Sequence, residues 1–231
     1  MNYLQLVNRA GLECGVASAQ VTTLVGQTSM ESLRFAGWVQ DAWNDIQIEQ
    51  QQWRFMTQTF SFNTTAGQQS YAPTVAQPTG CGLANFANWK YKSSRCYLTS
   101  TGYSDEQIQN YMDWDQFRNL YEYGNMRTTQ QRPVIWAADP QKNYTLGPVP
   151  DNIYTIDGEY FMAPQVLSAD TDTPYMPSQF HMAIVYGAMQ SYAAYEAAPE
   201  VMQRGMAGWQ KVMGKLRFDQ LPLLTSGPPL A

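Results

Sequence analysis

Hydrophobic positions along this chain follow two regimes, helical spacing at both ends and alternation in the middle. Near the start Tyr3, Leu4, Val7, Ala10 and Gly11 fit one face of a short helix. Gly15 to Gly26 reads as a small-residue connector holding the apolar pair Leu24 and Val25. Thr28, with Glu31 three positions on, has the spacing of a capping box, in which side chain and backbone satisfy each other's orphan groups at a helix start. Phe35, Val39, Ala42 and Ile46 follow at helical steps, Trp38 and Trp43 widen the stripe, and Asp41, Asn44, Asp45 and Gln51 take the opposite side. The pattern predicts a helix over about 29–53.

From Met56 the period changes. Thr57 to Phe62 alternates, Asn63 to Gly67 supplies a turn, and Gln69 to Tyr71 a returning strand. Beyond the Pro/Gly-rich loop from Pro73 to Gly82, Trp89–Tyr91 and Arg95–Thr99 read as two more strands. Asp113 and Gln116 form a second capping pair for a short helix with Phe117, Leu120 and Tyr121 on one face and Gly124 at its stop. Pro133–Ala137, an Asp139-Pro140 turn, Tyr144–Leu146 and Ile153–Met162 predict a β-meander, with Tyr154, Ile156, Tyr160 and Met162 sharing a face of the last strand.

Helical spacing then returns. A helix over about 178–198 is apolar nearly all round through Phe180, Met182, Ala183, Ile184, Val185, Ala188, Tyr192 and Tyr195, so it needs neighbours on several sides, in its own fold or in an oligomer. Pro199 suits the first turn of the next helix. There Met202, Met206, Trp209, Met213 and Leu216 form a narrow seam and are the candidates for packing between subunits. After Phe218, three prolines exclude a continuous helix. The fold class expected is therefore α+β, with two N-terminal and two C-terminal helices (1–56 and 165–217) forming a helical core. A β-rich insertion (57–164) and an extended C-terminal tail (218–231) complete it.

At 231 residues the chain is one domain with a large insertion or two domains. It carries 14 Lys+Arg against 19 Asp+Glu, a net charge of −5, and 24 glutamines, so much of its polarity is neutral. The absence of a basic run argues against stable, sequence-reading contact with nucleic acid but leaves room for a surface along which DNA slides. Cys14, Cys81 and Cys96 are few and odd in number, which points to reduced thiols in a cytoplasmic compartment and leaves a Cys81–Cys96 pair open. No basic segment followed by an apolar core suggests a signal peptide. The longest nonpolar run, Met182 to Met189, falls far short of the roughly 20 residues of a membrane span.

Candidate chemistry is thin. His181 is the single histidine, and neither a triad nor a zinc site is built from one such residue, so a packed, hydrogen-bonded role is expected. Asp170-Thr-Asp172 lacks the Gly and terminal Glu of a calcium loop and reads as a solvated turn or as caps for the following helix. Asp113 and Asp115 flank Trp114 like a glycosidase pair, but side chains two apart on a helix diverge, and helix-start acids have a structural role already. Gly80-Cys81-Gly82 is no phosphate loop. Trp89, Lys90, Tyr91, Lys92 and Arg95 are the one basic, aromatic cluster. They fit contact with a phosphate backbone or glycan, or a strand alternating core aromatics with solvated lysines. No catalytic, metal or cofactor site is expected.

Taken in order, several segments resemble the head-to-tail adaptor (head-completion or connector) proteins of tailed bacteriophages. They are Trp38 to Gln47 (WVQDAWNDIQ), Trp53 to Met56, Phe60 to Tyr71, and Met112 to Arg118 (MDWDQFR). Pro150-Asp151, Tyr154 to Ile156, Gly158 to Tyr160, Asp170 to Pro174, and His181 to Tyr186 running on to Tyr195-Glu196 complete the series. The resemblance implies a non-enzymatic virion protein of the neck, assembled in the host cytoplasm. Its partners would be the portal protein, neighbouring copies in a ring of about twelve, and a downstream neck or tail protein. DNA would pass through the lumen without specific binding, past about −60 formal charges in such a ring. The tail of such adaptors reaches along the portal, which makes Phe218, Leu221, Leu223, Leu224 and Leu230 the candidate portal contacts. A neck stopper or tail-completion protein is the nearest alternative. A cell-wall glycan hydrolase or glycan-binding tail component, using Asp113 or Asp115, is the alternative from another class.

Overall fold

The computed structural model describes residues 1–16, 18, 20–50 and 52–222. In chain order its helices and strands are α1 (Tyr3–Glu13), α2 (Met30–Glu49), β1 (Thr57–Asn63), β2 (Ser70–Tyr71), β3 (Phe86–Trp89), β4 (Arg95–Leu98), β5 (Gln107–Ile108), β6 (Asn110–Tyr111), α3 (Trp114–Tyr121), β7 (Ile135–Ala138), β8 (Tyr144–Gly147), β9 (Tyr154–Met162), α4 (Met182–Tyr195) and α5 (Pro199–Gln220). Mixed α and β structure thus divides into two units, one made of Met1–Met56 and the residues from Pro164 on, the other of Thr57–Ala163.

In the first unit α4 is central, with α1, α2 and α5 packed on it. Much of its apolar surface is therefore covered by three helices of the same chain, while Tyr195 stays 54% exposed. Close approach is possible because glycines stand at the contacts. A Cβ on Gly187 would meet Ala42 Cβ at 2.7 Å and the Trp209 indole at 2.8 Å, and one on Gly208 would meet the Tyr186 ring at 2.6 Å. At the start of α1, Asn2 Oδ1 accepts from Gln5 N–H (2.9 Å) while Gln5 Oε1 accepts from Asn2 N–H (3.0 Å), a complete capping box. The cap of α2 is Ser29, not Thr28, and accepts from Ser32 N–H at 3.5 Å. This helix ends at Glu49, short of the expected 53, because Gln50 is extended (φ −138°, ψ 129°) and the chain turns back. Trp53 is then fully buried with its indole N–H donating to Ile46 O at 2.8 Å.

The second unit is built from two sheets. One has the order β1-β9-β4-β5, with β9 pairing β4 along Tyr154–Asp157 and β3 further along, at Tyr160–Met162. The other has the order β2-β8-β7-β6 and is antiparallel except for β6–β7. Two expected neighbours are not neighbours. β2 does not return on β1 but pairs β8, and β9 leaves the β7–β8 hairpin for the other sheet. The nine-residue β9 matches β1 through seven consecutive pairs, Thr57↔Phe161 to Asn63↔Thr155, which a two-residue β2 cannot supply. Phe60, Phe62, Tyr71, Trp89, Trp136, Tyr144, Leu146, Ile156 and Tyr160 make the core. The Phe60 ring covers Gly158, its cross-strand partner, so closely that a Cβ there would lie 2.8 Å from it. Helix α3 sets Phe117 and Tyr121 against Ala137 as a separate small cluster.

Candidate functional site

The seam read from α5 is used mostly within the chain. Met213 and Leu216 are fully buried in the helical unit. Trp209 and Met202 are half-buried, Trp209 against Gly187, and Met206 is 49% exposed. Phe218 is not the first residue of an extended tail, since α5 continues to Gln220. Its ring stands 82% exposed in the last turn, at the rim of an open groove lined by Phe180, Val212, Gly214 and Lys215. Leu221 caps the helix, half-buried against the helical core. Leu223, Leu224 and Leu230 lie outside the described residues. Spacing did not single out Met30 and Leu33 on α2 or Leu12 on α1, which are also exposed. Exposure is a property of the packed helices, and no residue type signals it.

Side chains with chemical potential are committed to structure. His181 is buried, with Nε2 2.9 Å from Met176 O and Nδ1 2.8 Å from the Met1 nitrogen. A carbonyl only accepts, so Nε2 carries the proton and Nδ1 is the acceptor. Burial pushes this imidazole below its ordinary 6.5. A depressed histidine is neutral in the fold while the unfolded chain takes up a proton. Its stability contribution is full above about pH 6.5 and is lost as the pH falls from there through the folded value. We expect unfolding free energy to fall between pH 7 and 5, and the slope to vanish in His181→Gln; an equal slope in the variant refutes this. Asp105 and Asp172 act only at lower pH. The Arg132 guanidinium (Nη1 to Asp105 Oδ1, 2.7 Å) and the Ser168 and Ala169 amides on Asp172 hold both carboxyls below 3.8.

The Asp170/Asp172 loop caps a helix, but not the one that follows. Asp172 O accepts from Tyr3 N–H (2.7 Å) and Asp170 O from Leu4 N–H (3.2 Å), satisfying orphan amides at the start of α1. Meanwhile the Asp170 carboxylate takes the Thr23 hydroxyl (2.6 Å) and Leu24 N–H (2.9 Å). Asp113 caps α3 through Asp115 N–H (3.2 Å), and Asp115 is exposed beside Arg118. Among the described residues no group of His, Cys, Asp and Glu is placed to hold a metal ion. Cys14, Cys81 and Cys96 are free thiols, and burial pushes Cys96 up to about 12.

The family model for the SU10 adaptor protein matches residues 1–222, across both units. The chain belongs to this family. It is a phage adaptor protein, a virion component that works with other head and tail proteins. No curated protein matches it. In this adaptor no helix among the described residues is long and apolar enough to cross a membrane. The basic, aromatic cluster proves divided: Trp89 is buried, its indole N–H on Lys142 O (2.8 Å), and Tyr91 stacks on Tyr111 at 4.2 Å. Lys90 pairs with Glu159 and Arg95 with Glu106. Arg132, which sequence reasoning passed over, ties Asp105 to the Cys96 carbonyl (3.0 Å).

Proposed function

We propose that this adaptor forms a ring of about twelve copies on the portal vertex, extends the DNA channel and docks the next neck or tail protein. The observation that carries this reading is the family match over 1–222. Two physical features support it. Met206 and Phe218 on α5, with Leu12, Met30 and Leu33 on the other helices, leave apolar area that a lone subunit does not cover. A net charge of −5 per chain is compatible with a lumen past which DNA would move without sticking, if that charge lines it. The role is structural: His181, Asp113, Asp170 and Asp172 each already serve a fold contact. Residues beyond α5, with Phe218 and Leu221 at their root, reach the portal.

Sedimentation tests this. The purified chain runs as a monomer or small oligomer, and ring-sized material forms when portal is added. Deleting 222–231 lowers portal affinity by about tenfold, the equivalent of about 1.4 kcal/mol. Unchanged affinity removes the tail from the contact, and portal and chain sedimenting separately in the intact mixture removes the ring.

A further inference from the structure

Strand β1 is a long outer edge of its sheet. Thr64 N–H donates to Tyr154 O at 2.8 Å, and the register runs on from that pair. Even-numbered residues of β1 therefore exchange bonds with β9, and odd-numbered residues turn their amides away. The other side of β9 agrees, because Glu159, the partner of Thr59, gives its carbonyl to Lys90 N–H (3.1 Å). The N–H and C=O groups of Thr59, Ser61 and Asn63 thus point off the end of the sheet, on exposed residues. Among the described residues one side-chain group meets them, Gln77 Nε2 on Ser61 O at 3.0 Å. Natural edges are usually blunted by charge, proline, a bulge or shortness. β1 (TQTFSFN) is seven residues long and has none of these.

The same sheet ends on its other side in β5, which is uncharged and only two residues long. The flanking Glu106 and Asn110 amides are already bonded within the chain, so the joint it offers is short. Gln109 N–H bonds Ser94 O (3.0 Å) and Gln107 pairs Cys96, so Ile108, 63% exposed, turns its amide outward. Each neighbouring pair in β1-β9-β4-β5 is antiparallel, so β5 runs opposite to β1. A second copy's β1 laid beside β5 would continue the sheet without a change of strand sense and without bringing like charges together. Such a contact joins different surfaces of two copies, the kind that closes rings.

We infer that neighbouring copies of this adaptor join β1 of one to β5 of the next as a continuous antiparallel sheet; this rests on the ring reading above. The test is hydrogen exchange at single-amide resolution on the full chain, free and assembled on portal. In the ring, the amides of Thr59, Ser61 and Ile108 should slow at least tenfold, while Gln58, Phe60 and Phe62 are protected in both states. Thr59→Pro removes an amide that no strand of its own copy uses, and Thr59→Lys adds a charge at the edge. Both should keep the even-numbered protection and lower ring yield about tenfold. A ring with those three amides as fast as in the free chain, or normal yield in both variants, overturns the inference and leaves the ring reading standing. Protection at β1 but not at Ile108 assigns the edge to a portal strand and overturns it too. With no ring from the unmodified chain, both readings fail. Should the variants not fold, the exchange pattern of the unmodified chain still decides.

Discussion

Gly187→Ala is expected to destabilise the helical unit by about 1–2 kcal/mol, whereas the same exchange at Gly37 stabilises it by about 0.5–1 kcal/mol. Both glycines lie inside long helices, where alanine is intrinsically preferred by about 1 kcal/mol. At Gly37 nothing lies within 4 Å of the added methyl, so the preference is realised. At Gly187 the methyl would come 2.7 Å from Ala42 Cβ, which moves only with the backbone of α2, and 2.8 Å from the indole of Trp209 on α5. Ala42 cannot yield without displacing α2, so the overpacking penalty exceeds the propensity gain. Gly187→Leu cannot be accommodated at all and should cost about 3 kcal/mol or more. Urea midpoints, with exchange of α4 amides as the local readout, measure both signs. A Gly187→Ala chain as stable as the parent would mean that α4 is not clamped between α2 and α5.

These glycines also show where spacing misled. Met202, Met206, Trp209, Met213 and Leu216 read as a seam for a partner, because apolar positions at steps of three and four mark a packed face without naming what it packs against. The partner of Met213 and Leu216 is the chain's own core, and Gly205 and Gly208, with no side chain to count, set how closely α5 approaches α4. The end of α2 failed for a related reason. Trp53 is seven residues past Ile46, a position that helical continuation would also bring beside it. Spacing does not separate two further turns from a chain folded back, and the indole bond to the Ile46 carbonyl decides for the latter.

Element types in the second unit were legible from alternation, but their partners were not. Turn chemistry at Asn63–Gly67 suggested a local hairpin, yet Phe60 pairs Gly158, whose missing side chain makes room for the Phe60 ring. Such long-range pairing is selected by shape across the sheet, which no local window contains. The Asp170/Asp172 loop was recognisable as a loop, but its main work is done by carbonyls, which every residue type carries. The ordered motifs from Trp38 to Glu196 were the legible part of the function. They lie within the 1–222 span of the family match, while exposure of Met206 and Phe218 emerges only from packing.

Trp136→Ala should have the largest effect in the β unit, a loss of about 3–5 kcal/mol. Trp136 is fully buried, stacked on Tyr144 with centroids 4.3 Å apart and planes 5° from parallel, and edge-on to Tyr111 and Trp89. Collapse into the space is blocked because the neighbours are pinned. The Tyr144 hydroxyl donates to Gln109 Oε1 and the Trp89 indole to Lys142 O, each at 2.8 Å. Trp136→Phe should cost much less, below about 1.5 kcal/mol, since it keeps a ring in the stack and deletes an indole N–H that has no partner among the described residues. Near-ultraviolet dichroism and amide exchange across β7 and β8 distinguish the two variants; equal losses would mean that the stack is not what holds the sheets. The same variant bears on assembly. If copies join through β1 and β5, melting the β unit removes the joint, and Trp136→Ala should lose its ring along with its lobe. A Trp136→Ala chain that still assembles with an unfolded lobe would assign the contact energy to the exposed apolar side chains of the helical unit instead.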